Sequence, residues 1–385
     1  MKASILILIV SLQQTAVPQV NKQSESYAPL SEELALQGVR EMYNFQFDES
    51  RESFEKFTAL NLNHPAGYFY QVVLDWFTFR MFKEDKDIWG EMSDELDRVV
   101  IIAEGRLKMY PDDALSMVYL GVARGLKARI ALSKNDFIDT FYDGYAGYSI
   151  IQEAMRIDPT MIDPKIGLGI FHYFIAISIP MIRSLSYIAG ISSSKEKAID
   201  EIIEVSEHGI YASIEARSFL MFIYAYIEDE YSKSLVLSRG LAKEFDQSPY
   251  FHGKLADILL LNGEIEEARH HLDLIPKLVV GLPDKYRMEM KTRVQYLQGE
   301  SLRREGKPEE ALELFLGLAD TYTLEFKFNL GYIYLRTGMA YDEIGKRKEA
   351  KKQYKKAVKL DNYTSAVRLS KLYLKKAYMR NETPK

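Results

Sequence analysis

The sequence predicts an all-α chain, folded as an α-solenoid of about eight helix–turn–helix pairs with a C-terminal capping helix. Three observations predict it. No stretch alternates apolar and polar residues between turn signals, so strands are not expected. The prolines beyond the N-terminus (Pro65, Pro111, Pro159, Pro164, Pro249, Pro308) fall mostly where one helix would stop and the next begin. The last third repeats one pattern three times, in LADILLLNGEIEEARHHL, LQGESLRREGKPEEALELF and RTGMAYDEIGKRKEAKKQY.

These segments align on Gly263, Gly306 and Gly345. Seven residues earlier stand the small residues Ala256, Gly299 and Gly338, and four earlier the large Leu259, Leu302 and Tyr341. Five residues later comes alanine each time (Ala268, Ala311, Ala350), and nine later a bulky residue (Leu272, Phe315, Tyr354). Two antiparallel helices that cross closely need this order. Small residues sit where backbones touch, bulky ones fill the groove, and glycine supplies the left-handed turn.

The pattern resembles the tetratricopeptide repeat, a 34-residue helix pair with the signature W-x₂-L-G-x₂-Y…A-x₃-F…P. In the last repeat the matching residues are Tyr334, Gly338, Tyr341, Ala350, Tyr354 and Ala357, with Asn362 where the family usually has proline. The resemblance implies a right-handed solenoid, and a binding protein rather than an enzyme.

Residues 1–16 read as a secretory signal. Lys2 precedes the apolar run Ala3–Leu12, too short to span a bilayer, and cleavage is expected after Ala16, although Gln14 fits that site poorly. The bacterial look of MKASILILIV places the mature chain in a periplasm, with a position peripheral to the membrane as the alternative. The chain has no cysteine, which excludes lipoprotein anchoring, disulfides and thiolate metal sites. Residues 17–29 form a polar tail, 30–165 long and degenerate repeats, 166–191 an apolar insertion, and 192–380 regular repeats with the cap.

The second helix of each pair is located by the position equivalent to Ala350. The upstream equivalents are Ser50, Val99, Gly147, Ala198, Ser234, Ala268 and Ala311. Early intervals approach 50 residues, so the first half needs longer helices or turns. The insertion Ile166–Ile191 is read as a buried helix plus a hairpin, with an exposed apolar surface or a membrane span as alternatives; Pro180 breaks it and Arg183 follows. His172 within it is expected to be a core histidine bonded to a carbonyl or a tyrosine hydroxyl.

No catalytic constellation emerges. Glu266 with His270 and Glu267 with His271 have metal-ligand spacing, but no further ligand recurs, so a solvated cluster is expected and no metal or cofactor is inferred. Gly167–Gly169 follows Pro164 into a helix and is not a nucleotide fingerprint. No small-molecule substrate is inferred. Nucleic acid is set aside because the formal net charge is −5.

In the family the first helix of each pair lines a concave groove. Carried over, the partner-binding positions are Arg293, Tyr296, Glu300 and Arg303 in one repeat and Tyr332, Leu335 and Met339 in the last. The lysine and asparagine set with which some members grip a carboxylate is absent from these positions. The expected function is a periplasmic scaffold holding a peptide or protein partner. A membrane-associated assembly factor, using 166–191 and the lysine-rich C-terminus, is the alternative.

Overall fold

The computed structural model describes residues 29–79, 86–133, 136–178, 183–184, 186–187, 190–191, 194–320, 322, 327–360 and 363–380. The expected signal and nearly all of the polar tail, with most of the expected hairpin after Ile177, lie outside them. Among the described residues the chain forms seventeen helices and no strands.

They fall into eight pairs and a cap. The first four pairs are α1 (Pro29–Tyr43) with α2 (Phe47–Leu60), α3 (Pro65–Phe79) with α4 (Lys86–Met109), α5 (Ala114–Ser133) with α6 (Phe137–Ile157), and α7 (Lys165–Ile177) with α8 (Lys195–His208). The next four are α9 (Ser213–Tyr226) with α10 (Tyr231–Glu244), α11 (Pro249–Asn262) with α12 (Ile265–Leu278), α13 (Asp284–Arg304) with α14 (Pro308–Asp320), and α15 (Lys327–Glu343) with α16 (Arg347–Val358). The cap is α17 (Ser365–Lys375). Each of the eight positions aligned with Ala350 lies in the second helix of its pair.

The small residues do what the alignment requires. A Cβ added at Gly299 would lie 2.6 Å from the Phe315 ring, and one at Gly338 would lie 2.4 Å from the Tyr354 ring. Gly38 stands in the same relation to Phe54, at 2.5 Å, in the first pair. In the turns, Gly263, Gly306 and Gly345 take positive φ, and the next residue's N–H reaches back across the helix end. Those bonds are Glu264 to Leu259 O, Lys307 to Leu302 O and Lys346 to Tyr341 O. Phe45 and Asp229 adopt the same left-handed conformation in the turns of the first and fifth pairs.

The long early helices exist, with 24, 20 and 21 residues in α4, α5 and α6. α5 and α6 cross through facing glycines: a Cβ on Gly147 would sit 2.6 Å from Gly121 O. The segment 166–177 is the first helix of an ordinary pair, with Leu168, Gly169, His172 and Tyr173 buried. No helix of the described residues is long and apolar enough to cross a membrane.

The coil closes on itself. Tyr43 of α1 stacks on Phe251 of α11 at 5.9 Å, and its hydroxyl donates to Glu215 of α9. The Tyr286 hydroxyl of α13 donates to Thr78 O of α3. At the other end, Tyr332 meets Tyr226 at 5.5 Å, and Ser365 and Arg368 of the cap bind Asp229. One apolar cluster therefore joins α1–α3 to α9–α17 across the concave side.

Candidate functional site

The concave positions named from the sequence come together, but with one another rather than around an open groove. Glu300 is the centre. Its carboxylate accepts two bonds from Arg303, at 2.8 and 2.9 Å, and one from Arg304 at 2.6 Å. Arg303 also donates to Glu343 at 2.8 Å. Arg336, stacked 4.7 Å above the Tyr296 ring, lies 3.6 Å from Glu300 and donates to Asp257 at 2.9 Å. The Tyr226 hydroxyl donates to the same Asp257, and the Tyr332 hydroxyl to Tyr226 O.

Glu300 and Arg303 are each only 1% exposed, so these charges are removed from water. Burial alone would raise the Glu300 carboxyl, but Arg303, Arg336 and Arg304 outweigh it and hold it well below the usual carboxylate range. Burial pushes the Tyr296 and Tyr332 hydroxyls up, so both stay protonated. Leu335 is buried, and Met339 packs half-buried on the core. Arg293 is half-buried and donates to Glu289 at 2.9 Å.

What remains of the groove is a recess of about 20 Å³, lined by Lys254, Arg293, Tyr296 and Asn329 among others. It has room for about one water molecule. The Tyr296 hydroxyl and Arg336 Nη1 are buried there or nearby without hydrogen-bond partners.

The open surface lies elsewhere. Between α4, α5 and the start of α6 is a groove of about 870 Å³, with Ile130, Ala131, Ile138 and Tyr142 among its walls. Ile138, Tyr142 and Tyr145 stand at helical spacing along α6 and are 81%, 67% and 43% exposed. Asp136 caps the helix by accepting from Asp139 N–H. Arg124 bridges Asp143 at 2.9 Å and Glu104 at 3.2 Å, and Lys127 pairs with Asp97. The α5–α6 crossing positions the stripe, because Gly144 and Gly147 face α5. The sequence signal was present in FIDTFYDGYAGYSI, a helix with glycine on one side and large apolar residues at i, i+4 and i+7.

His172, His252 and His271 are packed, whereas His208 and His270 are exposed. His172 Nδ1 lies 2.7 Å from Glu201, its Nε2 lies 3.2 Å from the Tyr148 hydroxyl, and Gln152 donates to that hydroxyl at 2.7 Å. If Glu201 accepts from Nδ1–H, then Nε2 is the acceptor for tyrosine, and the chain of bonds is consistent throughout. His252 and His271 face each other through their Nδ1 atoms at 2.8 Å. Burial, followed by the charges of His252 and His270, pushes His271 down to about 4. Glu266 and Glu267 pair instead with Arg269 and Arg239. Among the described residues no group of three or more candidate ligands could hold a metal ion.

Residues 331–364 match the family model of the tetratricopeptide repeat. No curated protein sequence matches the chain. Among solved structures, yeast Tom70 superposes with a TM-score of 0.39 at 12% identity, covering 90% of this chain and 81% of that one. A human IFIT1 dimer with PPP-AAAA gives 0.44 at 14%, covering 90% and 84%. A tetratricopeptide repeat protein from Parabacteroides merdae gives 0.33 at 14%, covering 80% and 98%. At these scores the neighbours say nothing about what the chain binds.

Proposed function

We propose that the chain, whose residues 331–364 match the tetratricopeptide-repeat model, is a non-enzymatic interaction scaffold that holds a protein partner at the α4–α6 groove. The apolar stripe Ile138–Tyr142–Tyr145 beside that groove is the observation that carries this reading. Water-exposed aromatic and aliphatic side chains on a rigid helix suit a partner's amphipathic helix. Asp136 and Asp139 at the groove's end favour a partner helix with a lysine or arginine beside its apolar face. The concave positions are a poorer place for a peptide, because their charges already neutralise one another. The apolar run after Lys2 supports export, and with it a periplasmic partner.

The test is a photo-crosslinking residue at position 142, with position 236 as control; Val236 is equally exposed but distant in the chain. The expected result is one or two discrete protein adducts from position 142 only. The same adducts from both positions, or none from 142, would overturn the assignment.

A further inference from the structure

We propose that the end of the solenoid, α16 with the outer side of α17, is a docking face for an anionic phospholipid bilayer. Residues 346–380 hold thirteen lysines and arginines against two acids, in a chain whose formal net charge is −5. The concentration is therefore local and runs against the overall balance. In α16 the inward face is narrow: Ala350, Tyr354 and Ala357 alone are buried. Lys348, Lys351, Lys352, Lys355, Lys356 and Lys359 are all exposed. Apart from Lys356, which lies 5.2 Å from the Tyr334 ring, none of these has an ion-pair or ring partner among the described residues. Lys371, Lys375 and Lys376 extend the exposed basic surface along α17, where Leu372 is also exposed, and Tyr363 is exposed between the two helices.

The choice of residue argues for lipid over a fixed protein or nucleic-acid ligand. The one arginine of α16, Arg347, turns inward and is used up on Asp342 and Tyr373 O. The outward positions are lysines, compact point charges on flexible stems without the planar fork that reads a fixed carboxylate or phosphate. Many lysines spread over one broad face gain most from many mobile headgroups at once. Exposed Tyr363 and Leu372 give the rim apolar side chains that can enter the headgroup layer. Screening limits each charge to about 8 Å at physiological salt, so the acidic remainder of the molecule does not cancel the patch.

The test is sedimentation of the full-length chain with phosphatidylglycerol–phosphatidylcholine vesicles and with pure phosphatidylcholine vesicles. The wild type is expected to sediment with the anionic vesicles and to be released by salt. Changing Lys351, Lys352 and Lys355 together to Glu is expected to weaken binding at least about a hundredfold, at roughly tenfold per 1.4 kcal/mol and about 1 kcal/mol per lysine. The set Lys108→Glu, Lys243→Glu, Lys277→Glu alters net charge equally on other exposed lysines and should bind as wild type. Replacement of Lys351, Lys352 and Lys355 by Arg should also retain binding, and helical circular dichroism controls for folding. Equal sedimentation with both vesicle types, loss of binding in the control set, or retention on polyglutamate or RNA but not on vesicles would overturn the proposal.

Discussion

The concave face of α11, α13 and α15 and the outer groove of α4–α6 belong to one solenoid and have opposite characters. In the first, arginines and carboxylates lie at hydrogen-bond distance, and Glu300, Arg303 and Arg336 are buried. In the second, apolar side chains stand in water beside a wide groove. Curvature makes the difference. The tight coil brings the first helices of the fifth to eighth pairs together, so their inner side chains become core. At 21 residues α6 is longer than the 13-residue α7 that follows it, and Ile138, Tyr142 and Tyr145 near its start are exposed among the described residues. Buried charge in one region and exposed apolar surface in the other come from the same geometry.

The comparison can be broken at its strongest point. Glu300→Ala removes the carboxylate that Arg303, Arg304 and Arg336 share, leaving guanidinium groups buried and under-paired. The expected loss is about 3–5 kcal/mol, read from urea unfolding. An unchanged midpoint would mean that the network is solvated. Ala350→Trp or Ala311→Trp comes next. Both alanines are fully buried at helix crossings, and overpacking there should cost about 1–3 kcal/mol. Wild-type thermal stability in either variant would contradict the register of the repeats.

Acid should loosen the α11–α12 contact more gently. His271 is pushed down from 6.5 to about 4, so the folded chain takes up its proton less readily than the unfolded one. Its contribution is complete above pH 6.5 and is lost as pH falls toward about 4. His271→Asn should flatten stability between pH 6.5 and 5 by about 1 kcal/mol, a figure reduced for the half-exposed ring. Glu300 does not confuse the window, because its own loss begins only below about pH 5. A pH profile identical to wild type in that range would rule out the histidine pair as its source. The smallest effect belongs to the groove: Ile138→Asp with Tyr142→Asp should change stability by no more than about 0.5 kcal/mol, measured by thermal melt. A larger loss would show that the stripe is packing surface and not a docking surface.

Much of the fold was legible in residue spacing. Gly263, Gly306 and Gly345 marked three pairs directly, and counting back to Ser50 reached the second helix of the first. The upstream turns were harder to see for a stereochemical reason. Phe45 and Asp229 occupy left-handed positions that a reader reserves for glycine, so the motif is present in geometry but not in letters. Phe45 is followed five and nine residues later by Ser50 and Phe54, the same spacing as in the C-terminal repeats. The concave residues were identifiable as inner positions. How tightly the coil winds was not, because it depends on Tyr43, Phe251, Tyr286 and Tyr332 meeting across distances that no local pattern encodes. The apolar stripe on α6 was legible from its spacing, but its exposure was not, because the same spacing ordinarily marks a core-facing side.

The closure of α1 onto α9 and α11 also bears on how the chain is made. Helical-repeat arrays ordinarily form stepwise, each unit resting on its neighbour, and can fray from either end. Here the Tyr43–Glu215 bond spans 172 residues and the Thr78–Tyr286 bond spans 208. During synthesis α1 to α3 must therefore wait for the seventh pair before their inner surface is covered. Until then Tyr43, Phe45 and Phe77 remain open to chaperones and to other nascent chains.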